Sequence, residues 1–284
     1  VAFVRRLRDY VRVRAVCPER AIDPKGYGDP LRIIASGGRQ RLINLRTGKD
    51  LTRKAENWSE KYLEPLEYVD GFILKHGSRL CGSSRMRTYP TATTGARSKE
   101  YTIGYFARQA IASHPQAAVI DSPALLDPRT REHWLTRLFA VAEFRAVRKA
   151  NSRDRLTRLH QYYHTLLEAY SSNRTRQLDK FVQKLNSADD GKAFAEYDRL
   201  FHQILTRRPP RKNLVEPMHL ALEHYRPHLT SNEIQRFKEA VEHYKAGELP
   251  LSQLRKTVQV WAVRYDKTFV REHAYFRPYP QQLA

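Results

Sequence analysis

Cysteine is nearly absent: Cys17 and Cys81 are the only two in 284 residues. Two thiols make no disulfide framework, so they stand as inert thiols or metal ligands in a reducing compartment. Long apolar runs are missing as well. Nothing approaches the roughly 20 residues of a membrane span, and no signal-peptide pattern opens the sequence, which points to a cytoplasmic protein without a membrane partner. No Walker-type loop or dinucleotide fingerprint occurs, which removes the nucleotide-binding enzymes built on those motifs. Negative charge is scarce too: 30 Asp and Glu stand against 51 Lys and Arg, a formal net charge of +21. The excess is mostly arginine, whose planar fork matches phosphate oxygens, so nucleic acid is the natural partner. A basic protein with no such partner is the other reading, because net charge does not specify function.

What is present changes character near residue 149. Residues 1–149 mix strand-like and helical patterns and read as an α/β domain with a mainly parallel sheet. Residues 150–284 show helical periodicity alone and read as an all-α helical domain. Val11 to Val16 alternates like a strand and ends on Cys17-Pro18-Glu19, where Pro18 fixes a turn. Leu31–Ala35 and Arg41–Leu45 flank Gly37-Gly38 and read as a hairpin. From Asp50 onward Leu51, Ala55, Trp58, Tyr62 and Leu66 recur at helical spacing, and the helix delivers the chain into an apolar strand at Phe72–Leu74. Strand, helix and strand make a crossover unit. That unit implies parallel pairing of 11–16 with 72–74, and it puts Cys17 and Cys81 on one edge of the sheet. Arg85–Ser98 is expected as a mobile loop over the crevice, followed by a helix at Gly104–His114 and a strand at Ala118–Ile120. Beyond Asn151, Leu156, Leu159, Tyr163, Leu166 and Tyr170 form one stripe, and Leu178, Phe181 and Leu185 another. Thr230 with Glu233 makes a capping-box pattern.

Candidate chemistry is sparse. Cys81, in a polar turn after a buried strand, is either a reactive thiol or a small buried hydrophobe. A zinc site of Cys17, His76 and Cys81 matches no recognised ligand spacing. His160, His164 and Glu168 stand one helical turn apart beside core-spaced residues and read as structural or solvated. The basic residues are better organised. Arg145, Arg148, Lys149, Arg153, Arg155 and Arg158 crowd the hinge between the halves, and Arg207, Arg208, Arg211 and Lys212 form a basic loop between helices. Both groups are placed to track phosphates as RNA-binding residues.

Several short motifs, in order, resemble the thiouracil desulfidase family. They are Cys17-Pro18-Glu19, the Gly26 to Pro30 turn, Thr47-Gly48-Lys49-Asp50-Leu51-Thr52, Asp70-Gly71-Phe72-Ile73-Leu74-Lys75, and Ser78-x-x-Cys81-Gly82. The second half, with its Arg155–Tyr170 helix and the run Tyr275-Phe276-Arg277-Pro278-Tyr279-Pro280, resembles the helical domain fused in the variety that desulfurates 4-thiouridine in tRNA. The resemblance implies a [4Fe-4S] cluster with one open iron that binds the substrate sulfur. Cys17 and Cys81 would be cluster ligands, with a third cysteine expected upstream of Val1. Glu19 would handle protons and Ser78 would hydrogen-bond the reacting base. The family's usual Ser-Pro-Ser-Cys stands here as Ser78-Arg79-Leu80-Cys81, so one hydroxyl and a turn proline are replaced. Two further readings remain: desulfuration of free thiouracil or a thiolated nucleotide, and an RNA-binding module without catalysis.

Overall fold

The computed structural model describes residues 2–93, 100–184 and 190–284. It forms two compact units, one of Val11–Asp127 and one of Pro128–Ala284 together with Val1–Tyr10. Helix α1, Ala2–Leu7, belongs to the second unit, where the Arg131 guanidinium lies 5.6 Å from the Phe3 ring centroid.

The first unit runs through helix α2 (Pro18–Ile22), strands β1 (Leu31–Ser36) and β2 (Arg39–Asn44), helix α3 (Thr52–Leu63) and strand β3 (Gly71–Leu74). Strands β4 (Met86–Arg87) and β5 (Tyr101–Thr102), helix α4 (Tyr105–Ser113) and strand β6 (Ala118–Asp121) complete it. Strands β1 and β2 form the expected hairpin, and Gly37 and Gly38 take φ of +58° and +74° in its two-residue turn. Two consecutive positive φ values twist the turn with the strands, and glycine adopts them without a Cβ penalty. Strand β3 pairs parallel with β6, Leu74 opposite Asp121, with α4 as the crossover. Strands β4 and β5 pair antiparallel, and Tyr89 bridges to Ile34 of β1.

Two expectations need correction here. Among the described residues the sheets are three two-stranded pairs, one of them parallel, so the mainly parallel sheet shrinks to a single pair. Residues 12–17 form no strand, and β3 finds its parallel partner in β6. The alternation at 11–16 has nothing to cover: Val13 and Val16 are each 40% exposed. A period-two pattern makes a strand only where one face is buried. The segment is instead pinned to α3, with the Arg14 guanidinium 5.3 Å from the Tyr62 ring centroid. Of the loop expected at Arg85–Ser98, residues 94–98 lie outside the described residues.

Helices α3 and α4 pack together and divide the apolar interior into two clusters. Ile33, Leu42, Leu51, Leu80 and Tyr105 form one, Leu63, Leu74, Phe106 and Ala110 the other, and Cys81 packs against both.

The second unit is helical: α5 (Pro128–Ala150), α6 (Arg153–Gln183), α7 (Asp190–Leu205), α8 (Glu216–Tyr225), α9 (Ser231–Ala246), α10 (Leu251–Arg264) and α11 (Thr268–Arg271). Helix α5 packs on α6 and α7, so the compact units divide at Asp127–Pro128, ahead of the change in sequence character at 149. Helix α6 breaks at Ser171, whose backbone is extended. Asp179, beyond the break, pairs with His160 Nε2 at 3.0 Å and His164 Nε2 at 3.4 Å, stitching its two halves together. Leu185 lies outside the described residues. The capping box of α9 is formed: the Thr230 hydroxyl accepts from the Glu233 amide at 3.2 Å, and the Glu233 carboxylate accepts from the Thr230 amide at 2.9 Å. No helix among the described residues is long and apolar enough to cross a membrane.

Candidate active site

Pro18 occupies the first turn of α2, where its missing N–H costs nothing and its fixed φ suits the helix. Cys17 is therefore the N-cap residue, exposed at the end of the extended segment. Glu19 follows in the first turn, half-buried, and its Oε1 accepts from the Gly28 amide at 3.1 Å. The loop that supplies this amide is fixed by buried Asn44 at the end of β2. Asn44 Nδ2 donates to Asp29 at 3.0 Å and Asp23 at 3.4 Å, while its Oδ1 accepts from the Arg46 and Thr47 amides. The Glu19 carboxylate is thus held by backbone, and the backbone by a saturated amide side chain.

Cys81 lies in a turn organised from both sides. The Ser78 hydroxyl accepts from the Leu80 amide at 3.2 Å and the Cys81 amide at 3.1 Å. Opposite, the N-terminus of α4 is docked on the same turn. Gly104 donates to the Gly82 carbonyl at 2.8 Å, Tyr105 to Arg79 at 3.1 Å and Ala107 to Leu80 at 3.0 Å. The turn carbonyls therefore satisfy amides that every helix leaves open at its first turn. Such close approach needs glycine, because a Cβ on Gly104 would overlap the Leu80 carbonyl and stand 2.9 Å from the Cys81 nitrogen.

Asp121, the last residue of β6, closes the turn. Its Oδ1 accepts from the Ser83 amide at 3.0 Å and the Ser83 hydroxyl at 2.6 Å. Its Oδ2 accepts from the Ser84 amide at 3.0 Å and the Ser84 hydroxyl, with His76 Nδ1 at 3.3 Å. Burial pushes the pKa of this carboxyl up, but the Ser83 and Ser84 donors and His76 outweigh it and leave the pKa below the usual value. The unfolded chain therefore binds this proton more readily. The stabilisation is present above the ordinary Asp range and fades as pH falls through the depressed value.

Burial is the largest influence on Cys81 and pushes its thiol up to about 11. The Cys17 charge raises it further and Glu19 adds a smaller push, while the Ser78 hydroxyl and Lys75 pull it back. Cys17, Glu19 and Ser78 thus each lie close enough to act on the Cys81 thiol. At pH 8 burial therefore keeps Cys81 largely as the thiol, and the thiolate is the reactive form. Alkylation at pH 8 is expected to label Cys17 first and Cys81 slower by at least about tenfold, as read by mass spectrometry of tryptic peptides; equal rates would refute this environment.

The same facts test a cluster against the donor set. Two neighbouring thiolates repel, and a bound soft cation relieves that repulsion while displacing the proton that burial keeps on Cys81. Soft sulfur donors also suit iron–sulfur ligation. Among the described residues no group of three or more His, Cys, Asp and Glu side chains is arranged to hold a metal ion.

Residues 1–122 match the model of the 2-thiouracil desulfurase family. Residues 164–280 match a second family model, described as "Protein of unknown function (DUF1722)". The chain is also 25% identical over 158 residues to "Uncharacterized protein YbgA" of Escherichia coli (strain K12), an alignment covering 55% of this chain and 93% of that protein. No solved structure matches the chain.

The residues matched by that desulfurase model include Cys17, Glu19, Ser78 and Cys81. Three residues that shape its site escaped the sequence analysis. Asp121 was detectable as a carboxylate at the carboxyl end of a strand, where parallel sheets place their chemistry. Gly104 showed only as a glycine ahead of a helical pattern, and Asn44 as a polar residue ending a strand.

The basic residues lie in the helical unit. Arg148, Lys149, Arg155, Arg158, Arg207, Arg208 and Lys212 are exposed, while Arg145, Arg153 and Arg211 are half-buried. Several already have partners within the unit. Arg148 reaches Asp198 at 3.4 Å, Arg208 donates to the Thr130 hydroxyl at 3.2 Å, and Arg211 donates to the Tyr244 carbonyl at 3.3 Å.

Proposed function

We propose that this chain hydrolyses the carbon–sulfur bond of a thiolated uracil, with 4-thiouridine in tRNA as the substrate. The observation that carries the reading is that Cys17 and Glu19 both lie near enough to act on the buried Cys81 thiol, within the residues matched by the desulfurase model. The net reaction is thiocarbonyl plus water giving carbonyl plus hydrogen sulfide, with no net redox change. A carbon–oxygen bond forms, the carbon–sulfur bond breaks, and both water protons end on the leaving sulfur.

Cys17 and Cys81 would be two of the ligands that hold a [4Fe-4S] cluster, which when bound would supply Lewis acidity toward the substrate sulfur. The residues in hand account for the rest. Glu19, with Oε1 committed to the Gly28 amide, keeps Oε2 to take a proton from water and return it to sulfur, the general acid–base role. The Ser78 hydroxyl, which accepts from two turn amides, would donate its hydrogen bond to the base beside Cys81. A stacked base is shielded at the reacting carbon, so the target nucleotide has to be swung out of its helix. The exposed arginines of the helical unit, in a chain of net charge +21, would hold the RNA backbone.

Anaerobically reconstituted protein should desulfurate tRNA carrying 4-thiouridine with kcat/KM at least about tenfold above free thiouracil. That advantage should shrink steeply as salt rises, because phosphate contacts release counterions. A preference for the free base, or no salt dependence, would overturn tRNA as the substrate.

A further inference from the structure

A cationic aromatic cluster stands just past the Cys81 turn. Arg85 and Arg87, two residues apart, both lie over the Tyr101 ring, at 4.9 and 5.6 Å from its centroid, and Arg87 Nε donates to the Tyr101 hydroxyl at 3.0 Å. Residues two apart on extended chain share a face, so both guanidinium groups reach one ring. Arg85 and Arg87 are exposed, and Tyr101 is 44% exposed although large and aromatic. Exposing an aromatic ring with two cations fixed against it offers planar surface and positive charge together.

The cluster is held rigidly by the fold beneath it. Strand β4 pairs with β5, and the next residue but one, Tyr89, exchanges backbone hydrogen bonds with β1: its amide donates to Ile33 at 3.0 Å and its carbonyl accepts from Ala35 at 2.8 Å. The Thr102 hydroxyl donates to Gln40 of β2 at 2.9 Å. On the other side, Ser83 and Ser84 are bound to Asp121. Met86 follows Cys81 by five residues, so β4 begins no more than about 18 Å from it. From Lys75 to His114 the sequence carries a single acidic residue, Glu100.

We infer that this Arg85–Arg87–Tyr101 cluster binds a single-stranded RNA segment adjoining the base in the Cys17–Cys81 site, one nucleobase stacking on the exposed planes while the guanidinium forks pair with phosphate. The inference rests on the reading that the thiolated base arrives within an RNA chain. Stacking on aromatic rings and arginine planes, with charge pairing along the backbone, is how sequence-tolerant single-strand sites work. A free base would use neither the phosphate pairing nor a neighbouring stack, so the cluster favours the polymer over the monomer.

The test measures binding of an unmodified single-stranded oligoribonucleotide to the full chain by fluorescence anisotropy, with no catalysis and no cofactor required. Tyr101→Ala should weaken binding about five- to a hundredfold with the salt slope unchanged, and Tyr101→Phe should stay within about threefold of the parent. The double variant Arg85→Gln, Arg87→Gln should lower the log–log salt slope by about 1.4, about 0.7 for each lost phosphate contact. Circular dichroism melts establish that each variant is folded. Unchanged affinity in Tyr101→Ala together with an unchanged slope in the double variant would overturn the inference. Because the oligonucleotide carries no sulfur, that outcome is distinct from a failure of desulfuration.

Discussion

Glu19→Gln is expected to lower kcat for desulfuration by about 10²- to 10⁴-fold, the range over which a positioned acid–base group accelerates proton transfer. The substitution is informative because of how Glu19 is held. Its Oε1 accepts from the Gly28 amide at 3.1 Å, and an amide oxygen can accept the same bond. The loop fixed by Asn44 and Asp29 is then undisturbed, and what disappears is the ability to bind and release a proton. KM should change by less than about threefold, and the melting temperature should not fall. A variant with parental kcat would mean that the water is activated elsewhere, leaving Glu19 as a clamp on the Gly28 loop.

Gly104→Ala is expected to destabilise the protein by about 1–3 kcal/mol, the usual cost of forcing atoms into a packed site. The cost arises from backbone contact, which no rotamer change relieves. A new Cβ meets the Leu80 carbonyl and the Cys81 nitrogen, so either α4 or the cysteine turn has to withdraw. Withdrawal breaks the bonds from Gly104 to Gly82 and from Tyr105 to Arg79, and it admits water to a thiol whose pKa is set chiefly by burial. Cys81 should therefore alkylate faster at pH 8 in this variant, alongside a lower denaturation midpoint. Parental stability with parental alkylation would show that the turn tolerates displacement and that glycine is not required there.

Local rules made much of this fold legible. Gly37-Gly38 between alternating segments specified a hairpin, the apolar spacing from Leu51 to Tyr62 specified α3, and Thr230 with Glu233 specified the start of α9. Each signal is contained within a few residues, where backbone preference and periodicity act directly. The failures came where partners are distant in sequence. Val11–Val16 has strand periodicity, but no edge is offered to it, and β3 pairs with a strand that follows it by about 45 residues. The helical unit begins at Pro128, where α5 packs on α6 and α7.

The candidate site has local and distant parts as well. Short motifs single out Cys17, Glu19, Ser78 and Cys81, but no shared edge of paired strands brings the two cysteines together. Cys17 arrives on irregular chain capping α2, and Cys81 is placed by Ser78, Gly104 and Asp121. Of these supports, Gly104 and Asp121 lie 23 and 40 positions further along the chain. Their contribution is steric fit and hydrogen-bond saturation, neither of which leaves a periodic trace in sequence.

As proposed, Cys17 and Cys81 share one site that releases sulfur from a thiolated uracil. The most direct measurement is sulfide produced per protein under anaerobic conditions, after reconstitution with iron and sulfide and removal of the excess, comparing the parent protein with Cys17→Ala and Cys81→Ala. The account expects many turnovers of hydrogen sulfide matched by loss of thiocarbonyl absorbance in the parent, and loss of at least about a thousandfold in each single variant. Sustained sulfide release from either variant, or none from a parent that holds iron, would contradict it.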